Sequence, residues 1–130
     1  MTILFLNACQ STKTIADKLY GTSWELDYIT GSRITFDGLF PDKKPQITFN
    51  KTSNKVQGNS SCNGYNAPYT LNGNNLSFGE PGPTTMMYCG EGEQAFLNII
   101  KKVNKYNFDE DGKLILIFDD VTMMRFKKVN

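Results

Sequence analysis

Alternating apolar and polar positions run along most of the chain. Trp24, Leu26 and Tyr28 alternate with Glu25 and Asp27, and this period of two predicts a strand with one buried face. The same pattern recurs in later segments that we predict as strands, at residues 47–49, 55–59, 106–108, 114–118 and 124–126. Most of the chain is therefore predicted to form a sheet.

A hairpin signal lies near the middle of the chain. Tyr69 and Leu71 face Leu76 and Phe78 across an Asn-Gly-Asn turn at residues 72–74. An Asn-Gly pair between two alternating runs is the strongest short-range signal for a β-hairpin. We therefore predict two antiparallel strands joined at this turn.

One segment has the periodicity of a helix. Between residues 91 and 103, apolar side chains stand at positions i, i+3, i+4 and i+7, namely Phe96, Ile99, Ile100 and Val103. This spacing places them on one face of an amphipathic helix. A short helical turn is also predicted between residues 15 and 20.

The order of the elements predicts the fold class. A run of strands, one helix and three more strands indicate a mainly β (α+β) fold. We expect a strongly curved antiparallel sheet or barrel-like fold of about eight strands, with the amphipathic helix packed on it.

Three finer expectations accompany this fold. A short strand is predicted at residues 33–36. The strand at 114–118 is apolar on both faces, so it should lie centrally with the helix as its cover. Lys127 and Lys128 end the last strand and should protect an exposed sheet edge.

Length, charge and composition narrow the function classes. The 130 residues fit a single domain, and the net charge of +1 provides no field that would attract nucleic acid. The chain has no histidine, which removes Ser-His-Asp and Cys-His catalysis and almost every zinc, copper or non-haem iron site. We expect no enzyme activity, no cofactor, no metal site and no nucleic-acid partner.

The first residues suggest a membrane anchor. Leu6-Asn7-Ala8-Cys9 resembles a bacterial lipobox, in which Cys9 would receive a lipid. The alternative is an ordinary first strand that ends in a buried cysteine. On the lipobox interpretation, residues 1–18 form the N-terminus and tether, residues 19–130 form the domain, and the chain is membrane-anchored in the bacterial cell envelope, periplasmic or at the surface.

Lipidation of Cys9 would leave two cysteines, Cys62 and Cys89. In an oxidising envelope compartment we expect them to form a disulfide. Closing a loop of about 27 residues would stabilise the fold by roughly 3–4 kcal/mol in the chain-entropy model. The alternative is two reduced cysteines that act as small apolar groups.

Two cysteine-containing motifs carry a family resemblance. They are GNSSCNGY at residues 58–65 and TTMMYC at residues 84–89, with Glu93 beyond, and GTSWEL at residues 21–26 precedes them. In this order they resemble the META domain of HslJ-like heat-shock lipoproteins. The family pattern usually has a glycine where this chain has Ser61, and a small residue where it has Tyr88.

The resemblance implies further expectations about structure and role. It implies a compact antiparallel sheet of about eight strands with a helix across it, an envelope location, and a role in stress response or antibiotic tolerance. It implies no reaction. The motif residues that we take as a candidate binding loop are Asn63, Gly64, Tyr65, Tyr69, Thr85, Met86, Tyr88 and Glu93.

Several of these residues also have simple structural explanations. Trp24 is expected in the core and Met86-Met87 in packing. Asn63-Gly64 suits a turn with positive φ. Glu93 is expected either to cap the helix start or to hydrogen-bond the Cys62–Asn63 loop.

Three functional hypotheses follow. The first is a non-catalytic, monomeric envelope protein that binds a protein partner through polar loops at residues 63–66 and 80–91. The second is a small-molecule or lipid binder whose barrel mouth is lined by Tyr65, Tyr69 and Tyr88. The third is an enzyme with paired carboxylates, at residues 91 and 93 or 109 and 111. We favour the first, because both carboxylate pairs are expected at a turn or a helix start.

Overall fold

The computed structural model describes residues 15–84, 87–88 and 90–129. Eight strands and two helices make up most of this part of the chain, and residues 15–17 form a short helical turn, as predicted. The strands are β1 (Ser23–Ile29), β2 (Gln46–Asn50), β3 (Lys55–Asn59), β4 (Gly64–Asn72), β5 (Asn75–Phe78), β6 (Lys105–Phe108), β7 (Leu114–Phe118) and β8 (Val121–Val129). The helices are α1 (Phe36–Leu39) and α2 (Glu91–Ile100). The predicted mainly β fold of eight antiparallel strands is confirmed.

Each strand pairs with the next, and β8 returns to pair with β1, so the strands form a closed barrel. The joint between β1 and β8 brings Glu25 opposite Lys127 and Trp24 opposite Lys128. The prediction that these two lysines protect an open sheet edge is therefore wrong, because β8 is not an edge strand: it pairs with β7 over residues 121–126 and with β1 over residues 124–129. The shortest strand pairing is between β5 and β6, where Asn75 pairs with Lys105.

The barrel interior is filled by the apolar residues of the alternating pattern. The predicted core residue Trp24 is fully buried, and its indole Nε1 donates a hydrogen bond to the carbonyl oxygen of Leu19 at 3.1 Å. Other fully buried side chains are Leu26, Ile47, Val56, Leu114, Leu116, Met124 and Phe126. The hairpin between β4 and β5 has the predicted register, with Tyr69 opposite Phe78 and Leu71 opposite Leu76.

Two local predictions are wrong. Residues 33–35 form no strand, and helix α1 starts at Phe36 because the Thr35 side chain accepts a hydrogen bond from the Gly38 amide and caps it. In β7 only Leu114 and Leu116 on the inward face are fully buried, since Ile115 and Ile117 on the outer face are half-buried. Helix α2 therefore does not bury the outer face of β7.

Helix α2 lies at one end of the barrel. Gly92 packs so closely that a Cβ there would be 2.2 Å from the Leu39 carbonyl oxygen. Phe96 is fully buried and its ring meets that of Tyr65 edge-on at 5.4 Å. The helix ends at Ile100, and a turn follows before residue 103. No described helix has the length and apolar character needed to cross a membrane.

The two ends of the barrel differ. The closed end consists of residues 17–22, the turn at 50–54 and Tyr69, whose hydroxyl lies 3.0 Å from that of Tyr20. The open end consists of α1, α2 and the connection at residues 60–63. The candidate site lies at the open end.

Candidate functional site

The site is organised by a buried carboxylate in the first turn of α2. Glu93 is only 6% exposed. Its Oε1 accepts a hydrogen bond from Ser60 Oγ at 2.9 Å, and its Oε2 accepts one from Asn63 Nδ2 at 2.7 Å. The predicted hydrogen bond between Glu93 and the Cys62–Asn63 loop is confirmed. These hydrogen bonds stabilise the carboxylate, whose burial without partners would be unfavourable.

Asn63 links a second segment to this carboxylate. Its Nδ2 also donates to the Met87 carbonyl oxygen at 2.7 Å, and its Oδ1 accepts from the Met87 amide at 3.0 Å. The side-chain amide thus pairs with the backbone of Met87 as a neighbouring strand would. Glu93, the 60–63 connection and the segment around Met87 are held together by this one side chain.

The backbone of the connection corrects the prediction for Asn63-Gly64. Neither residue has a positive φ, whereas Ser61 has a φ of 145°, a conformation that favours glycine. The Ser61 hydroxyl donates to the Lys43 carbonyl oxygen at 2.9 Å and supports this conformation. Gly64 has another role, since a Cβ there would lie 3.0 Å from Thr84 Oγ1.

A cleft of about 480 Å³ lies beside this network. It is lined by residues 60 and 63–65, by residues 80–84 and by helix α2. The helix contributes Glu93 and the face formed by Gln94, Leu97, Asn98 and Lys101, which follow the spacing i, i+3, i+4 and i+7. This face was not predicted from the sequence, although its spacing follows the helical period. It is the mainly polar face that lies beside the predicted apolar face of the helix.

Tyr65 gives the cleft its distinctive chemistry. The side chain is only 4% exposed, and its hydroxyl has no hydrogen-bond partner within the described residues. Burial raises the pKa of Tyr65 above the ordinary tyrosine value, so the phenol stays neutral and remains a donor at physiological pH. An unpaired buried hydroxyl is unfavourable by itself, and this sets Tyr65 apart from the other residues that line the cleft.

The other predicted tyrosines do not join Tyr65 at one mouth. Tyr69 is buried at the closed end, where its hydroxyl meets that of Tyr20. Tyr88 is 85% exposed and Met87 is 59% exposed, so the prediction of a packing role for Met87 is wrong. Neither Tyr69 nor Tyr88 lines the cleft.

Several predicted residues fall outside the described part of the chain. Cys9, Thr85, Met86 and Cys89 are among them. Cys62 is disulfide-bonded, and its pairing with Cys89 stays a prediction.

Neither of the two predicted carboxylate pairs lines the cleft as a pair, whereas Glu80 and Glu93 both line it. Glu91 is exposed while Glu93 is buried in its hydrogen bonds. Asp109 accepts from the amides of Asp111 and Lys113, both at 2.9 Å, and so stabilises the turn between β6 and β7. Among the described residues, no cluster of three or more acidic or cysteine side chains could hold a metal ion.

Comparison with known proteins identifies the family. The family model of the META domain matches residues 17–130. The chain belongs to the META domain family. A solved structure described as the NMR structure of the protein from Burkholderia xenovorans is similar to this META domain, with a TM-score of 0.66 and 25% sequence identity over 88% of each chain. Among curated proteins, no sequence matches this chain.

Proposed function

We propose that this META domain is a non-catalytic binding domain of the bacterial cell envelope, and that its ligand binds in the cleft at the open end. The observation that carries the proposal is the cleft itself, which Tyr65 lines while its buried hydroxyl lacks a partner within the described residues. Buried polar groups in native proteins are nearly always hydrogen-bonded, and exceptions call for a functional or solvent explanation.

The size and lining of the cleft support binding. Its volume of about 480 Å³ lies within the range of ordinary ligand pockets. Pro81, Pro83 and Leu97 supply apolar surface, and Gln94 and Asn98 supply polar groups. A few polar groups on an apolar wall are typical of a site that orients a ligand.

The non-catalytic part of the proposal rests on Glu93. This carboxylate is the buried one of the two acidic side chains that line the cleft, Glu80 and Glu93, and its oxygens accept hydrogen bonds from Ser60 and Asn63. A carboxylate whose oxygens already accept these hydrogen bonds holds two loops in place. It is poorly suited to exchange protons with a ligand, because each exchange would disrupt those bonds.

The envelope location is proposed from the N-terminal sequence and the cysteines. Leu6-Asn7-Ala8-Cys9 supports a lipid anchor on Cys9, and the disulfide state of Cys62 supports an oxidising compartment and a bond to Cys89. By analogy with HslJ-like lipoproteins, the bound ligand would serve envelope stress response or antibiotic tolerance. A small molecule or lipid in the same cleft is the alternative ligand.

A fragment screen by ¹H–¹⁵N NMR tests the proposed site. Amide shifts should change for Tyr65, Asn98 and Lys101 when fragments bind. Leu97→Trp should fill the cleft and abolish these changes. Thr70→Trp places the same bulk in a shallow depression on β4 and β5, away from the cleft, and should leave them intact. Fragments that bind elsewhere, or bind Leu97→Trp equally well, would show that the cleft is not the site.

A further inference from the structure

We infer that the ligand of the cleft is an extended peptide segment, whose backbone is held by the side-chain amides of Gln94 and Asn98. This inference rests on the proposed function and names the ligand class for the same site. It is carried by the amides of α2 and by the Pro-Gly-Pro segment that also lines the cleft.

The side-chain amides of Gln94 and Asn98 are spaced like alternate residues of an extended peptide. Gln94 and Asn98 are four residues apart on α2 and both line the cleft. Four helical residues rise about 6 Å along the axis. Two residues of an extended chain span about 6.6–6.8 Å. The two amides can therefore meet peptide groups of equivalent orientation in one extended segment.

The second argument is the chemistry of these side chains. A primary amide carries both a donor and an acceptor, as a peptide group does. Both residues are exposed, and within the described part of the chain neither amide makes a hydrogen bond. They are free to pair with the N–H and C=O of a bound backbone. Leu97 lies between them on the same face and can contact an intervening apolar side chain.

The Pro-Gly-Pro segment at residues 81–83 forms another wall of the cleft. The Gly82 amide donates to the Asn66 carbonyl oxygen and the Gly79 amide to that of Pro68, both at 2.8 Å. A Cβ on Gly82 would lie 2.4 Å from Asn66 Oδ1, so the segment lies tightly along β4. This wall is rigid and apolar, and it favours the side chains of a peptide over its polar backbone.

The remaining groups indicate a preference within the peptide class. Tyr65 adds an aromatic side chain to the lining of the cleft. Lys101 continues the row of Gln94 and Asn98 by three residues and places a cation at its end. We expect a carboxylate near Lys101, from an acidic side chain or from the C-terminus of the peptide.

The test begins with a displayed library of random heptapeptides, panned on the whole domain. Enriched sequences are synthesised and their affinities are measured by calorimetry. Gln94→Ala combined with Asn98→Ala should weaken binding about tenfold or more, because two pairs of backbone hydrogen bonds are lost. Glu91→Ala changes an exposed residue of the same helix outside the cleft and should leave the affinity unchanged.

A second measurement separates backbone recognition from side-chain recognition. Methylating the peptide nitrogens that face α2 should abolish binding, and methylating the alternate nitrogens should have little effect. The affinity of free peptides with C-terminal amides shows whether Lys101 contacts the C-terminal carboxylate or an acidic side chain of the peptide. Equal affinity for the wild-type domain and the double variant would overturn the inference.

The outcomes also separate this inference from the proposed function. If fragments bind the cleft but no enriched peptide does, the peptide inference is wrong and the cleft remains a binding site. If neither fragments nor peptides shift the amides of Tyr65 and Asn98, both are wrong.

Discussion

Tyr65 and Tyr69 belong to the same strand and the same inward face of the barrel, and both are buried, at 4% and 6% exposure. At the closed end the Tyr69 hydroxyl has the Tyr20 hydroxyl at 3.0 Å. At the open end the Tyr65 hydroxyl has no partner within the described residues. The same side chain is thus fully satisfied at one end of β4 and unsatisfied at the other.

This difference indicates that the closed end contributes mainly to stability and that the open end is suited to binding. The closed end is packed and internally paired, and the ring of Tyr69 meets that of Phe49 edge-on at 5.2 Å. The open end is held by the bonds of Glu93 and leaves polar groups free beside a cleft. A site that binds a ligand keeps unpaired groups whose desolvation is unfavourable until the ligand arrives. The next three predictions challenge this division.

The largest effect is expected at the closed end, for Trp24→Ala. The substitution removes a fully buried indole and its hydrogen bond to Leu19. The free energy of unfolding should fall by about 3–5 kcal/mol, as for other buried Trp→Ala changes. Urea denaturation measures it, with Tyr88→Ala, at an 85% exposed position, as the control. A loss no larger than that of the control would refute the central role of the closed end.

The next effect is expected at the open end, for Glu93→Ala. The change removes the carboxylate that accepts from the buried Ser60 hydroxyl and Asn63 amide and leaves them only their weaker or shared acceptors, and the free energy of unfolding should fall by about 2–3 kcal/mol. Glu91→Ala, in the same helical turn, removes only an exposed charge and should lower it by at most about 1 kcal/mol. If both variants lose the same amount, the network contributes nothing beyond the helix dipole.

The smallest effect is the most direct comparison of the two tyrosines. Tyr69→Phe removes a paired hydroxyl and should lower the free energy of unfolding by about 1 kcal/mol. Tyr65→Phe removes an unpaired one, so stability should be unchanged or slightly higher while ligand binding weakens. Thermal and urea unfolding of both variants measure the stability difference. Equal losses would mean that the Tyr65 hydroxyl is already satisfied, and the argument for the cleft would fail.

Much of the fold was predictable because its signals are local. The period of two and the Asn-Gly turn identified β1 and the hairpin of β4 and β5 from neighbouring residues alone. The sequence left a curved sheet and a barrel-like fold as alternatives, because closure joins strands distant in the chain, as in the bond from Thr22 to the Val129 carbonyl oxygen. A pair of terminal lysines is equally compatible with an open edge and with a closed joint.

The site was predictable only in part. Glu93 and Asn63 were found because a motif set them apart, and their hydrogen bond is present. Gln94 and Asn98 were missed because a polar helix face is usually solvated, and no local signal shows what stands opposite it. Ser61 was noted in the sequence as a departure from the resembled pattern, and only the structure shows its φ of 145°, a conformation that favours glycine.

The sequence by itself determined the strands, the main helix, the core positions and the family, because these depend on periodicity and on short motifs. Only the tertiary structure decided that β8 closes on β1, that Glu93 ties two loops together, and that Tyr65 is left without a partner beside a cleft. Those features depend on which distant segments meet, and pairwise contacts across the barrel are not encoded in any local pattern.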